Sequence, residues 1–367
     1  MLNFDTARVK RVLIYRLGSL GDTVVALPAL HLVERTFPNA RRSMLTNIPV
    51  HAKAPPAAAV LEGSRLVDGY IHYPVHTRSI REIARLWWRI LRFRPQVVIY
   101  LMPARGRGSL RRDTWFFRLC GSRHIVGLPG GDLAESRFDP KSGMWEREAS
   151  RLLRCLRSLG EADVNDPAGW NLHFTAEEER KAEEMLACFA GQPFIACGPG
   201  TKMQAKDWGQ ENWGALLARL TAELPGRGLV LVGAKEDAAV SNYSSAQWDG
   251  PVTNLCGLLT PRETAAVLRH AELFLGPDSG PMHLAAAYGV PCAIAFAAID
   301  RPGRWFPVGE RHRSVYHAVE CANCRLTVCI VNRKKCITSI TVDEMFQAAL
   351  GAMKGRPAFV KTDREEE

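Results

Sequence analysis

The chain has 367 residues, 47% hydrophobic and 23% charged, with a formal net charge of +10. That length suits two domains of ordinary size, and that balance excludes wholesale disorder. Apolar runs break well before the roughly 18 residues of a membrane span, and no basic and apolar leader opens the chain, so a cytoplasmic protein is expected. The charge is unevenly placed: residues 1–170 hold 27 Lys and Arg against 15 Asp and Glu, and the remainder holds 21 against 23. The basic first half points to an anionic partner, whether a phosphorylated acceptor, an acidic membrane surface or nucleic acid, unless the charge serves only solubility.

The first stretch, Arg11 to Leu30, reads as a buried strand (Val12 to Tyr15), a turn with Gly18 and Gly21, and a helix. Such a βα unit opens a parallel sheet whose ligands bind at the carboxyl ends of its strands. Asp22 is then either a carboxylate at the lip of a cleft or an ordinary helix cap. Further strands are expected at Ser43 to Thr46, Gly69 to Tyr73, Val97 to Leu101 and His124 to Leu128, alternating with helices. Arg78 to Phe93 reads as a two-faced helix, with Arg78, Arg81, Arg85, Arg89 and Arg92 on one stripe and Ile83, Leu86, Trp87 and Ile90 opposite. Trp88 on the border allows contact with a membrane surface or acidic glycolipid, and a solvated face is the alternative. Arg105, Arg107, Arg111 and Arg112 follow a strand, where guanidinium groups suit phosphate or carboxylate. A helix from Trp145 to Leu159 ends at Gly160, and residues 161–170 read as a linker, dividing the chain into domains 1–170 and 171–367.

The second half repeats the pattern, with strands at Phe194 to Cys197, Leu229 to Val232, Val252 to Leu255, Leu273 to Leu275 and Cys292 to Phe296. The sharpest motif is Gly276-Pro-Asp278-Ser279-Gly280-Pro-Met-His283, a turn into a helix. Free N–H groups and the helix dipole there would hold a diphosphate at Ser279 and Gly280. Thr201, Lys202 and Lys206 follow another strand and suit phosphate stabilisation, without the full pattern of a P-loop. Glu236, after a third strand, could accept from ribose hydroxyls or complement a helix dipole.

Taken together, Leu17-Gly-Ser-Leu-Gly-Asp22, the Gly200-Thr201 and Lys206-Asp-Trp segments, Val232-Gly-Ala-Lys-Glu236 and Asp278-Ser-Gly-Pro-Met-His283-Leu-Ala resemble glycosyltransferase family 9, the ADP-heptose:lipopolysaccharide heptosyltransferases. The resemblance implies an α/β GT-B fold of two Rossmann-like domains whose parallel sheets face across a cleft. The acceptor would bind the N-terminal domain and the nucleotide sugar the C-terminal one, with the last helix a candidate to pack back toward the N-terminal domain. It implies an inverting, metal-independent transfer of heptose from ADP-heptose to an acidic glycolipid such as the lipopolysaccharide inner core, on the inner face of the cytoplasmic membrane. Asp22 matches the general base, Lys206 and Thr201 the groups that neutralise the leaving diphosphate, and Glu236 the ribose contact. Asp278, Ser279, Gly280 and His283 match phosphate and sugar contacts, with Lys202 a further donor candidate. The acceptor candidates are Arg16, Ser19, Arg105 and Arg107. A nucleotide-sugar 2-epimerase of the same fold, or a non-catalytic basic membrane- or nucleic-acid-binding protein, are the competing readings; for the family reading no nucleic acid is expected.

Of ten cysteines, Cys120, Cys155, Cys188, Cys197, Cys256 and Cys292 lie in apolar segments and are expected as small buried hydrophobes. Cys321, Cys324, Cys329 and Cys336 fall within sixteen residues, which suits either a structural Zn or Fe site or a loop of reduced thiols outside the catalytic mechanism.

Overall fold

The computed structural model describes residues 4–47, 55–74, 79–103, 106–128 and 136–355. They form two compact units, one from the residues up to Phe138 with Glu146–His173, the other from Asp139–Trp145 and the residues from Phe174 onward. Each is an α/β unit built on a parallel sheet.

In the first unit β1 (Arg11–Tyr15), β2 (Arg41–Asn47), β3 (Gly69–Tyr73), β4 (Val97–Tyr100) and β5 (His124–Val126) line up as β3-β2-β1-β4-β5. Val12 to Tyr15 are all buried, the near-continuous apolar run of a strand covered on both faces. Register sets Tyr15 beside Leu45 on one side and Tyr100 on the other. The strand order reverses between β1 and β4, so the loops after these two strands flank the crevice of the sheet. β6 (Phe138–Asp139) and β7 (Met144–Trp145) make a short ribbon.

The second unit has β8 (Phe194–Cys197), β9 (Gly228–Leu231), β10 (Val252–Asn254), β11 (Leu273–Pro277), β12 (Cys292–Phe296) and β13 (Arg313–Tyr316), ordered β10-β9-β8-β11-β12-β13 and parallel throughout. Its core joins Trp208 and Trp213, ring centroids 4.6 Å apart and edge to face, with Leu216, Leu220, Phe346 and Ala349.

The last described helix, Val342–Met353, packs on β11, β12 and β13 of the second unit, because Met345, Phe346, Ala348, Ala349 and Ala352 give it an apolar face for that sheet. Several expectations need correction. The helix expected from Arg78 is described from Ile80 to Phe93, and of its apolar side only Leu86 and Ile90 are buried; Ile83 and Trp87 are exposed. Arg78 lies outside the described residues. Cys188 is exposed, unlike the other five scattered cysteines. The presumed linker is partly a packed turn: Trp170 is buried and Gly169 lies against Pro28. Strand β13 and the helices Ala176–Leu186 and Ala238–Ser245 were not anticipated.

A buried ion cluster ties the first unit together. Arg16 donates to Leu101 O at 2.6 Å and reaches Glu148 Oε1 at 3.3 Å, and Arg151 donates to both Glu148 oxygens and to Met102 O. All three side chains are essentially without solvent exposure. Removing one partner of such a cluster leaves uncompensated buried charge. Glu148→Ala should therefore destabilise the first unit by about 3–5 kcal/mol, read as a lower urea midpoint.

Candidate active site

In the first unit the candidate residues sit in the loop after β1. Gly18 has φ +150°, and a Cβ there would come within 2.4 Å of Asp22 Cβ, so only glycine lets that side chain fold back over the loop. Asp22 Oδ2 accepts from Ser19 N–H at 2.8 Å and from Ser19 Oγ at 2.9 Å. The capping role weighed for Asp22 is thus real, and it consumes one oxygen. Oδ1 faces the Arg16 guanidinium at 3.6 Å, and the side chain is partly exposed. Arg16 also donates to Asp22 O through Nε and Nη2. Capping and presentation of a carboxylate coexist in this residue.

Arg16 itself is corrected from acceptor candidate to buried support, since its guanidinium is spent on Asp22, Leu101 and Glu148. Ser19, the second acceptor candidate, holds Asp22 in place. Arg107 opens the helix Arg107–Leu119 and is exposed, whereas Arg105 lies outside the described residues.

In the second unit the candidate residues gather where the sheet order reverses between β8 and β11. Lys206 donates to Asp278 Oδ2 at 2.6 Å and to Asp278 O at 3.3 Å. His283 Nε2 is 3.6 Å from Asp278 Oδ1. Burial pushes the Asp278 carboxyl up, but the Lys206 charge and the His283 contact outweigh it and leave the group at about 2. Ser279 stands at the N-cap position of the helix Gly280–Ala287, and its Oγ is buried with no hydrogen-bond partner among the described residues. An orphaned hydroxyl at a helix N-terminus, beside a paired lysine, is the arrangement an incoming phosphate oxygen would complete. Thr201 Oγ1 accepts from Met203 N–H at 3.3 Å, Lys202 is exposed, and Glu236 is exposed in the turn after β9.

Two features of this unit escaped the sequence. Asp237 accepts from Ala234 N–H at 2.8 Å and occupies the space that Gly200 and Gly233 leave: a Cβ on either would collide with its carboxylate. Paired glycines just past neighbouring strands were the available signal. The other is Trp305, whose ring meets His283 edge to face at 6.4 Å and whose Nε1 donates to Asp300 Oδ2 at 2.8 Å. No local pattern announces that contact.

The cysteine segment supports the Lys206 loop. Ala205 N–H donates to Thr327 O, Cys329 N–H donates to Gln204 Oε1, and Lys334 reaches Asp207. Cys321 and Cys324 are partly exposed, Cys329 and Cys336 buried. Among the described residues no group of three or more His, Cys, Asp or Glu side chains is placed to hold a metal ion, and the Cys336 thiol lies near enough to those of Cys321, Cys324 and Cys329 to interact with them.

Residues 142–335 match the model of glycosyltransferase family 9 (heptosyltransferase), just over half of the chain, and the chain belongs to this family of glycosyltransferases. It is 25% identical over 307 residues to lipopolysaccharide heptosyltransferase 3 of Escherichia coli, covering 76% of this chain and 81% of that protein. The family 9 glycosyl transferase from Veillonella parvula superposes with a TM-score of 0.71 at 17% identity, covering 97% of this chain and 99% of that one. The E. coli ADP-heptose lps heptosyltransferase II gives a TM-score of 0.61 at 17% identity, over 94% and 98% of the chains. These likenesses establish the GT-B class of two Rossmann-like units.

The ion pair can be tested by titration. A carboxyl held below its usual range contributes stability above that range and loses it as pH falls toward its folded value. With Lys206→Met, burial would no longer be outweighed to the same degree, and Asp278 would take up its proton at higher pH. The acid-unfolding midpoint followed by near-UV circular dichroism should move upward from that of the unaltered protein; an unchanged midpoint would contradict the pairing.

Proposed function

We propose that this glycosyltransferase moves a heptose from ADP-heptose to an acidic glycolipid of the cell envelope, such as the lipopolysaccharide inner core, with inversion at the anomeric carbon. The observation that carries the donor side is the buried, unpartnered Ser279 hydroxyl at a helix N-terminus with Lys206 held beside it. The names of the E. coli relatives, an ADP-heptose lps heptosyltransferase and a lipopolysaccharide heptosyltransferase, favour this sugar and this acceptor.

In this reading the second unit takes the donor. Lys206, Thr201, Lys202 and the N–H groups at Ser279 and Gly280 meet the diphosphate, Glu236 accepts from ribose hydroxyls, and Asp278 and His283 line the phosphate and sugar end. The first unit takes the acceptor, with Arg105 and Arg107 toward its anionic groups. Asp22 Oδ1 removes the proton from the acceptor hydroxyl as its oxygen attacks the anomeric carbon. The bond to the diphosphate breaks and its electron pair leaves with ADP, whose growing charge Lys206 and the helix dipole offset. In this reading Lys206 and the helix dipole take the role that a metal has in other sugar transfers. The lipid of the acceptor places the enzyme on the cytoplasmic face of the inner membrane.

A general base is typically worth roughly 10²–10⁴ in rate. Asp22→Asn should lower kcat by about that factor while the affinity for ADP, measured by calorimetry, stays within error; parallel loss of both would remove Asp22 from this role. A bound ligand raises the melting temperature with the logarithm of its occupancy. ADP-heptose should accordingly stabilise the protein more than UDP-, GDP- or CDP-sugars do at equal concentration, and a larger shift with UDP-sugars would sink the heptose assignment.

A further inference from the structure

The helix Ile80–Phe93 is built like a surface helix, but among the described residues half of its apolar arc has nothing to cover it. At 100° per residue, Leu86 and Ile90 fall together and face the core, while Ile83, Trp87, Ile80 and Trp88 continue the arc round the outside. Ile80 is 82% exposed, Ile83 44%, Trp87 37% and Trp88 54%. The arc runs on to a second element. Trp87 Nε1 donates to Leu119 O at 3.1 Å, at the end of the helix Arg107–Leu119, where Leu119 is 66% and Trp115 62% exposed. Trp115 and Leu119 are four residues apart and share one side of that helix. Six large apolar side chains on two touching helices thus form one surface.

Cations border it. Arg81, Arg85, Arg89 and Arg92 occupy the adjoining side of the first helix and are exposed, Arg92 lies over the Trp88 ring at 5.5 Å, and Arg118 is exposed on the second helix. Glu82 is the one acidic residue in the sequence of the first helix. Exposed indoles flanked by arginine match the boundary between lipid headgroups and acyl chains, where the ring is buried and the guanidinium meets phosphate. A second copy of the chain fits poorly, because a two-fold contact would set this arginine row against itself. At fourteen residues, about 21 Å, the helix is too short to span and suited to lie in the interface plane.

We propose that the outer faces of the helices Ile80–Phe93 and Arg107–Leu119 form a docking surface for an anionic lipid bilayer, with Ile80, Ile83, Trp87, Trp88, Trp115 and Leu119 entering the interface and the arginines holding lipid phosphates. This deepens the membrane-bound acceptor reading and rests on it for its biological meaning, but it is measured without the reaction. The full chain should co-sediment with vesicles of phosphatidylglycerol and phosphatidylethanolamine and not with phosphatidylcholine vesicles. Reversing two charges with Arg85→Glu and Arg89→Glu should weaken that binding at least tenfold. Trp88→Ser should weaken it at both low and high salt, and Arg180→Glu, an exposed charge on the second unit, should leave it unchanged. Unaltered melting curves establish that the variants fold. No binding to anionic vesicles, equal binding by the charge-reversed variant, or a concentration-dependent dimer that Trp88→Ser dissolves would each overturn the proposal. Vesicle binding without turnover of ADP-heptose would overturn only the reaction assigned above.

Discussion

The Arg16 guanidinium is the contact on which the first unit's chemistry rests. It sits at the end of the central strand β1 and gathers the carbonyls of Asp22 and Leu101 and the carboxylate of Glu148, so the loops after β1 and β4 and the helix Glu148–Cys155 are fixed by one buried charge. Arg151 balances the second charge on that set. A cluster of this kind adds little net stability compared with an apolar core, because desolvation offsets most of the attraction. What it does supply is position: Asp22 Oδ1 is held beside a fixed cation while Oδ2 is occupied by Ser19. A carboxylate so restrained loses little freedom when it meets a hydroxyl.

The second unit solves the complementary problem with the same means. Lys206 is kept in place by Asp278, which in turn is kept ionised by Lys206 and His283 against the pull of burial. The pair therefore holds a cation ready at the N-terminus of the helix Gly280–Ala287, where Ser279 keeps a hydroxyl without a partner. The unpaired hydroxyl is a local cost that a bound phosphate would remove, which is the usual sign of a site organised for a ligand rather than for the empty fold. The loop of four cysteines contributes by bracing residues 204–207 through hydrogen bonds.

Family membership defines the reaction class more firmly than the substrates. In the proposed reaction the motifs around Asp22, Lys206 and Asp278 serve proton removal and binding of the leaving diphosphate, chemistry common to many sugars. The exposed tryptophans and arginines of the helix Ile80–Phe93 belong to neither task, and the bilayer proposed for them accounts for their composition.

The sequence by itself determined the two-unit α/β plan, because buried parallel strands are written as short apolar runs that stop at glycine turns: Val12 to Tyr15 and Phe194 to Cys197 were readable on that ground alone. It also determined the turn residues, since Gly18 and Ser279-Gly280 mark places where backbone must bend or expose N–H groups. Only the tertiary structure decided the fate of particular charges. Arg16 and Arg107 look alike in sequence, yet one is buried against Glu148, 132 residues away, and the other stands in solvent. Likewise helical periodicity showed which side of Ile80–Phe93 is apolar but not how much of it a neighbour would cover. Burial and pairing depend on contacts between segments distant in the chain, and no local pattern carries them.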